Sequence, residues 1–431
     1  MVSAFKICNM KKFYPRTFLF VILSCFFFHG CVKDTCKRTY SYIYYQPVYK
    51  PVAEVLGNIK SNSPKQVDNP GKIYMLGQYI FLNEIDKGIH VIDNSNPSAP
   101  KNIAFIDIPG NLDIAVKGTT LYADFYRDFV AIDISNPENV ILKKVIHNVF
   151  AHRNYPNGFV ATDDGKVIVD WVKRDSTVTE YCSTPKIWIG RTDVVMYSLA
   201  SSTGAVSAQA ASPVGMGGSM ARFALVNERL YAVTNSALNI FNISSPAEPS
   251  YKSQVPVGWN IETIFPFNDR LFIGSRTGMF MFNISNPDAP FQIAQFGHVM
   301  SCDPVIADDK YAYVTLRSGT PCQGFTNQLE VLKLDNQAGP TLQKIYPMSN
   351  PHGLSKQGEL LFICDGMEGL KIYNASDVNN LQLIKKISDF ETYDVIAFNS
   401  IALVVAKDGL YQYDYSDANN IRLLSKITIA K

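Results

Sequence analysis

Six charged or imidazole side chains stand at the start of apolar, strand-like runs, and their types could bind a ligand or a cation. The six are Asp113, Arg222, Glu262, Asp303, His352 and Asp394. Carboxylates that lie close together raise one another's pKa unless a cation lies among them. Arg222 and His352 are suited to that neutralising role, so the set could form a ring at the mouth of a channel. The alternative interpretation is a hydrated channel whose polar lining needs no ligand.

Carboxylates can also perform acid–base chemistry, which needs two of them at a defined separation. The sequence supplies the acids but no distances, so a hydrolase or lyase that acts on polysaccharide is an alternative hypothesis. His152, His298 and His352 precede corresponding strands, but they belong to different repeats and form no His-x-x-x-His motif. We therefore predict no catalytic residue, no dedicated metal site and no cofactor. Binding of a cation in the channel is left as an alternative.

A period of about forty residues positions these side chains. An apolar run that ends in Asp or Asn, often followed by Ser-Asn-Pro, recurs along the chain. The landmark positions are 93, 133, 198, 242, 283, 335, 374 and 414, with gaps of 40, 65, 44, 41, 52, 39 and 40 residues. Five of the seven gaps lie near 40, so the two long gaps mark insertions.

Each period contains about four short runs rich in Val, Ile, Tyr and Phe, separated by Gly, Asn, Asp or Pro, which predicts strands joined by tight turns. Four strands repeated every 40–45 residues predict an all-β fold with a single β-propeller. The repeats are 70–111, 112–150, 151–220, 221–260, 261–300, 301–350, 351–391 and 392–431. Eight four-stranded blades are the first choice and seven the alternative, because the third repeat is irregular.

The recurring phrase has a structural explanation and a family resemblance. The Asp or Asn that ends each run can accept hydrogen bonds from the amides of the turn that follows, and Pro ends the pairing. Ile89-His-Val-Ile-Asp93 and Val130-Ala-Ile-Asp133-Ile-Ser-Asn-Pro137 resemble the LVIVD repeat of secreted and lipid-anchored bacterial proteins. The resemblance covers roughly residues 70–431, and it implies a propeller outside the cytoplasm without implying an activity.

Residues 1–30 have the pattern of a secretory signal peptide. They carry four basic residues and no acidic one, followed by an apolar run over 17–28 that is too short to span a membrane comfortably. Gly30-Cys31 resembles a bacterial lipobox, which implies lipidation of Cys31, with Cys25 as the competing candidate. Val32-Lys33-Asp34 resembles the export signal of surface lipoproteins of Bacteroidetes. We expect an outer-membrane lipoprotein exposed at the cell surface, with the periplasmic face as the alternative.

Residues 31–69 are predicted to be a lipid-anchored tether with a Tyr-rich segment, and 70–431 to be the propeller. Within the tether, residues 51–57 are expected to form a short helix. The chain has 40 Lys and Arg against 38 Asp and Glu, and removal of the four basic residues of the leader leaves 36 against 38. Such a balance argues against nucleic acid as a partner, because no basic excess exists to neutralise phosphates.

Both insertions are expected in connections between the second and third strands of a blade, at 173–193 and at 317–328, and therefore on one face. Cys302 and Cys322 both fall on that face, which suggests a disulfide, whereas Cys364 is expected to be a buried apolar residue. Ser176 lies in Asp175-Ser176-Thr177-Val178, which resembles an O-glycosylation acceptor of Bacteroidetes.

These observations favour a lipid-anchored binding module that recognises a protein or a glycan partner on its insertion-bearing face. The polysaccharide-acting enzyme is one alternative, and a structural component of an outer-membrane assembly is the other. The lipid anchor is the only expected membrane contact, and the oligomeric state is open.

Overall fold

A computed structural model shows that the chain is almost entirely β-strand. It describes residues 37–150, 155, 159, 165–181, 215–301, 304–319, 324–335 and 339–429. Cys31, Cys302, Asp303 and Cys322 lie outside these ranges, so the predictions of lipidation and of a disulfide stay predictions. Cys364 is a buried free thiol, as expected.

The chain divides into two compact units. The described part of the smaller unit is an arm in which strand β1 (Lys37–Pro51) pairs with strand β11 (Lys166–Tyr181). The unit includes β1 as far as Gln46 and β11 from Val172 onward. Hydroxyl contacts join Thr39 to Thr179 at 3.0 Å and Ser41 to Thr177 at 2.9 Å. These contacts place the two strands side by side in opposite directions.

The larger unit is a β-propeller. A short helix α1 (Val52–Leu56), as predicted for 51–57, and strand β2 (Ser61–Asn62) precede it. In the described residues the propeller has seven four-stranded antiparallel blades, and the two edges of blade I also carry β2 and β12 (Met216–Gly217).

In each blade the first strand lies nearest the propeller axis and the fourth lies outermost. Blade I is β3 (Pro70–Leu76), β4 (Tyr79–Glu84), β5 (Gly88–Asp93) and β6 (Lys101–Asp107), and blade II is β7 (Ile114–Lys117), β8 (Thr120–Phe125), β9 (Asp128–Asp133) and β10 (Ile141–Ile146). Blade III is β13 (Phe223–Val226), β14 (Arg229–Val233), β15 (Ala237–Asn242) and β16 (Ser250–Pro256). Blade IV is β17 (Ile261–Phe267), β18 (Arg270–Ser275), β19 (Gly278–Asn283) and β20 (Phe291–Gly297).

The remaining three blades complete the ring. Blade V is β21 (Val305–Ala307), β22 (Tyr311–Leu316), β23 (Gln328–Lys333) and β24 (Thr341–Pro347). Blade VI is β25 (Leu354–Gln357), β26 (Leu360–Cys364), β27 (Leu370–Asn374) and β28 (Gln382–Ile387), and blade VII is β29 (Thr392–Phe398), β30 (Ile401–Ala406), β31 (Gly409–Asp414) and β32 (Arg422–Thr428).

The prediction of eight blades is wrong, and the alternative of seven is confirmed. The third repeat, 151–220, supplies no blade among the described residues, because β11 pairs with β1 and β12 joins the inner edge of blade I. Blade II therefore packs directly on blade III, where the rings of Phe129 and Phe241 stack with centroids 4.5 Å apart. The landmark at Ser198 lies outside the described residues. A strand-like pattern identifies a strand, but it does not say which edge that strand will pair with.

The core is a series of apolar layers between neighbouring blades. Buried Val, Ile, Leu and aromatic residues form clusters that link blades I to III, III to IV, IV to VI, VI to VII, and VII back to I. The last junction closes the ring. There the amides of Asn94 and Gln412 bond each other reciprocally at 2.9 and 2.7 Å, both buried.

The repeated Asx turn has the structural role expected from the sequence. The side-chain oxygen of Asp93 accepts a hydrogen bond from the amide of Ser95 at 2.9 Å. The same bond, from the amide two residues further on, recurs after the third strand of blades II, III, IV, VI and VII, at Asp133, Asn242, Asn283, Asn374 and Asp414. The motif therefore serves the turn between the third and fourth strands.

Candidate functional site

Strand direction defines two faces of the propeller. The innermost strands begin on one face, which also carries the connections between second and third strands; we call it the mouth face. The insertion at 317–328 joins β22 to β23 and lies on this face, as predicted. The insertion at 173–193 begins inside β11, in the connection between blades II and III, so its assignment to a connection within a blade is wrong.

The six residues predicted to form one ring occupy two different positions. Counted back from the hairpin turns that end the innermost strands, Asp113, Arg222 and Asp394 share one register position. Glu262, His352 and, by sequence, Asp303 stand one residue earlier. The six residues therefore do not share one equivalent position at the start of the innermost strands.

Lys72 of blade I shares the register position of Asp113 and was missed by the sequence reasoning. Its Nζ lies 2.9 Å from Oδ2 of Asp113, and both side chains are almost fully buried. Burial lowers the pKa of Lys72, and the adjacent Asp113 carboxylate opposes that shift. The sequence signal was available, because Lys72 begins the first run of the first repeat in the same way that Asp113 begins the second.

The channel is occupied by the chain itself. Residues 215–222, which we call the axial segment, lead into blade III, and their strand β12 pairs antiparallel with β3. The segment therefore runs against the direction of the innermost strands and reaches the mouth face at its end. Ser219, Met220 and Ala221 are almost fully buried. The expectation of an open, polar channel does not hold along this segment.

The axial segment bonds to the innermost strands of five blades. The amide of Gly215 donates to the Val116 carbonyl at 2.9 Å, and Tyr74 donates its hydroxyl to the Gly215 carbonyl at 2.8 Å. Further along, the amide of Ile264 donates to the Ala221 carbonyl at 2.7 Å. Val116, Tyr74 and Ile264 belong to the innermost strands of blades II, I and IV. Ser219 bonds to residues of blades VI and VII, as described next.

Asp394 is a structural carboxylate at the end of this segment. Its Oδ1 accepts a hydrogen bond from the Ser219 hydroxyl at 3.3 Å, and that hydroxyl accepts one from the amide of Leu354 at 2.6 Å. A Cβ added to Gly218 or to Gly353 would lie 1.9 Å from an Asp394 carboxylate oxygen. The Asp394 carboxylate therefore packs closely against Gly218 on one side and Gly353 on the other.

Asp113 is likewise engaged. Besides Lys72, its carboxylate accepts hydrogen bonds from the amides of Ile114, at 2.7 Å, and of Arg222. The Lys72 ammonium also donates to the Met220 carbonyl at 3.3 Å. Two of the predicted ring acids thus hold the axial segment in place, which is a structural role.

The other mouth residues form a second group on blades IV to VII. Glu262 Oε1 lies 2.7 Å from Arg276 Nε. The His352 and Tyr393 rings meet edge to face with centroids 5.5 Å apart. Arg317, which follows β22, is partly buried close to this group; burial lowers its pKa, and the Glu262 carboxylate opposes the shift.

His352 is neutral in this environment. Only 5 % of it is exposed, and burial, reinforced by the charge of Arg317, lowers its pKa well below the usual value. Its Nε2 lies 3.2 Å from the Asn350 amide nitrogen, which can only donate, so the ring proton resides on Nδ1. Nδ1 is buried without a hydrogen-bond partner in the described structure.

Two aspartates near the mouth have purely structural functions. Asp124 Oδ1 accepts hydrogen bonds from the amides of Leu112 and Asp113, both at 2.8 Å. Asp365 accepts from the amides of Ser349 and Asn350 and pairs with Lys371. Both carboxylates fix connections that lead into innermost strands. Among the described residues no group of three or more His, Cys, Asp or Glu side chains could hold a metal ion.

Exposed apolar side chains have an uneven distribution. In the described ranges the large ones lie on the arm, on outermost strands, or on the mouth face, and the opposite face has none. Those on the mouth face are Trp259, Val299, Met300, Phe325 and Met367, which we call the mouth patch. They occupy four connections on consecutive blades, and Trp259, Phe325 and Met367 are 76, 99 and 73 % exposed.

Ser176 lies in β11 and is partly buried, with Thr177 beside it exposed. Its glycosylation stays a prediction. In the described part of the chain no helix is long and apolar enough to cross a membrane.

Comparison with known proteins supports the fold and the repeat. The LVIVD repeat family matches residues 71–105 and 111–147. A protein from Lactobacillus plantarum superposes with a TM-score of 0.51 at 13% identity, over 84% of this chain and 97% of that one. The periplasmic gluconolactonase PpgL of Pseudomonas aeruginosa gives 0.51 at 10% identity, over 83% and 96%. No curated protein matches the sequence. At these identities the likeness extends to the propeller fold, and the chain is a β-propeller that carries LVIVD repeats.

Proposed function

We propose that this propeller is a binding module that docks a protein partner on its mouth face. The mouth patch carries the proposal, because five large apolar side chains are exposed on one face, in connections of consecutive blades, while the opposite described face has none. Contiguous exposed apolar surface on a soluble domain is typical of interaction sites. Trp, Phe and Met are also enriched at the centre of protein interfaces.

The composition of the mouth patch favours a protein over a glycan. Trp259 and Phe325 could stack on a sugar ring, but Val299, Met300 and Met367 offer no flat surface for stacking. Unbranched methionine side chains instead adapt to irregular apolar surfaces of partner proteins.

The acids give less support to the enzyme alternative. Asp113 pairs with Lys72, Glu262 pairs with Arg276, and Asp394 is clamped against the axial segment. These three carboxylates are thus held by groups of the protein itself. The gluconolactonase has the same fold, but a likeness at 10% identity extends only to that fold.

The test is capture of cross-linked partners from intact cells with three proteins. These are the wild type, the mouth variant Trp259→Ser/Phe325→Ser/Met367→Ser, and the control variant Phe291→Ser/Leu383→Ser/Leu423→Ser, which changes exposed apolar residues of outermost strands. We expect one partner with the wild type and the control and none with the mouth variant. Equal capture by all three would refute docking on the mouth face, and glycan-array binding without protein capture would favour a glycan.

The location is part of the same proposal. We infer that Cys31 carries a lipid and that the protein is held at the outer membrane, exposed at the cell surface. Support comes from the basic leader, the apolar run and Gly30-Cys31. Labelling with a fatty-acid analogue should mark the wild type and not Cys31→Ser, and protease treatment of intact cells should degrade the propeller. Labelling of Cys31→Ser would refute the anchor at this residue, and full protection would place the protein on the periplasmic face.

A further inference from the structure

We propose that the arm lies in the headgroup region of a lipid membrane. The contact is made by the part of the arm that forms the smaller unit, residues 37–46 of β1 and residues 172–181 of β11. The inference rests on the proposed lipid anchor at Cys31 and adds a second membrane contact next to it. It does not depend on the docking of a protein on the mouth face.

The arm has a large apolar surface. In the described part of the chain it is a sheet of only two strands, and such a sheet is marginally stable in water unless its side chains pack on something else. Residues 37–46 are exposed throughout, and half of them are large apolar residues with 41–53% of their surface exposed. These are Tyr40, Tyr42, Ile43, Tyr44 and Tyr45. The arm therefore presents an apolar surface that needs a partner.

The apolar residues lie on both sides of β1, because the side chains of a strand alternate between its two sides. Tyr40, Tyr42 and Tyr44 share one side, whereas Ile43 and Tyr45 share the other. A strand that docks on a protein surface needs apolar residues on one side only. A glycan would stack on a flat aromatic platform, but the ring planes of Tyr42 and Tyr44 are 49° apart. Apolar residues on both sides instead fit a medium that surrounds the strand, as a membrane interface does.

The residue type indicates the depth. Tyrosine is enriched at the membrane–water interface, because its ring is apolar and its hydroxyl is polar. The edge of an open sheet cannot enter the hydrocarbon core, where its backbone groups would find no hydrogen-bond partner. The headgroup region supplies water and polar groups for that edge. The arm is therefore suited to the headgroup region and not to a deeper position.

Charge and chain length favour the same location. The arm carries more basic than acidic residues, namely Lys37, Arg38, Lys173 and Arg174 against Asp175 and Glu180. A basic excess is attracted to anionic lipid headgroups. β1 begins at Lys37, six residues after Cys31, and an extended chain of that length spans at most about 20 Å. A lipid on Cys31 would therefore hold the start of the arm within about 20 Å of the membrane surface.

The experiment measures sedimentation of the chain from residue 31 onward, with Cys31→Ser, together with lipid vesicles. Because this protein carries no lipid, its binding reports the arm and not the anchor. The vesicles are phosphatidylcholine alone or an equimolar mixture with anionic phosphatidylglycerol. The parent is compared with Tyr40→Ser/Tyr42→Ser/Tyr44→Ser on one side of β1 and with Ile43→Ser/Tyr45→Ser on the other. The control variant is Phe291→Ser/Leu383→Ser/Leu423→Ser, on outermost strands.

We expect the parent and the control to bind the anionic vesicles, and to bind less well to phosphatidylcholine alone or at high salt. Each arm variant should bind about fivefold more weakly or worse, because interfacial binding scales with the apolar area that is buried. The same variants should be compared in a Thr39→Cys/Thr179→Cys chain, in which a disulfide holds the two strands together. An equal loss of binding there would show that the side chains, and not the pairing of the strands, are responsible.

No binding by the parent, or equal binding by the parent and both arm variants, would overturn the proposal and leave the anchor at Cys31 untouched. Loss of binding in only one arm variant would indicate docking by one side and would also overturn it. A dimer of the parent that dissociates in the arm variants, seen by sedimentation velocity, would assign the arm to a second copy of the chain instead. Vesicle binding without fatty-acid labelling of the wild type would refute the anchor and retain the arm as the membrane contact.

Discussion

Because Asp394 packs closely between Gly218 and Gly353, Gly218→Ala is the most informative single substitution for the packing of the axial segment. A Cβ at Gly218 would lie 1.9 Å from Asp394 Oδ2, where ordinary contacts begin near 3.4 Å. One side must therefore move by more than 1 Å. Asp394 cannot retreat, because a Cβ position at Gly353 lies equally close to its other oxygen. The axial segment must shift instead, and with it the Ser219 hydroxyl that bonds both Asp394 and Leu354.

The expected cost has two parts. Insertion of a methyl group into a packed interior costs about 1–3 kcal/mol, and loss of a buried hydrogen bond that leaves a group unpaired costs another 1–3 kcal/mol or so. We expect Gly218→Ala to lower the free energy of unfolding by about 2–6 kcal/mol. Denaturant titration measures it, with Gly297→Ala as the control, since the nearest atom to that Cβ is 3.9 Å away. A change below about 0.5 kcal/mol in Gly218→Ala would show that the axial segment does not pack against Asp394.

Three further predictions test other parts of the structure. Lys72→Met or Asp113→Asn alone should lower the free energy of unfolding by roughly 3–5 kcal/mol, and the double variant should lower it by less than either single variant. Denaturant titration of this double-mutant cycle measures the losses, and additive losses would contradict the ion pair. Because the pKa of His352 is lowered in the folded protein, the unfolded state binds more protons below about pH 6.5, so stability should fall on acidification by up to about 1.4 kcal/mol per pH unit. Unfolding curves at several pH values should show a shallower fall in His352→Gln, and an unchanged slope would argue against a neutral buried imidazole. Thr39→Cys/Thr179→Cys should form a disulfide detectable by mass spectrometry, and its absence under oxidation would contradict the pairing of β1 with β11.

Local pattern was enough to predict the propeller, the blade strands and the Asx turns. Each depends on residues that are close in sequence, such as Asp93 and Ser95. The number of blades depended on a long-range choice that local pattern does not contain. β11 has the alternation of a strand, yet its partner is β1, more than a hundred residues earlier.

The residues predicted for the candidate site show the same limit of local pattern. The starts of the innermost strands do converge at the mouth, as the period indicated. An error of one residue in alignment then gave Glu262 and His352 the same register position as Asp113 and Asp394. Arg317 was overlooked because it begins a connection rather than an innermost strand.

The axial segment also explains why a glycine-rich stretch stands directly before blade III. Gly215, Gly217 and Gly218 let the backbone pass within hydrogen-bond distance of β3, and a Cβ at Gly215 would lie 2.2 Å from the Tyr74 ring. Because the segment bonds to blades I, II, IV, VI and VII, on both sides of the ring closure, its contacts form only when these blades are in place. An open stack of repeats can lose its end units one at a time, whereas the release of any of these five blades would break contacts of the axial segment. The axial segment therefore couples these five blades into one cooperative unit.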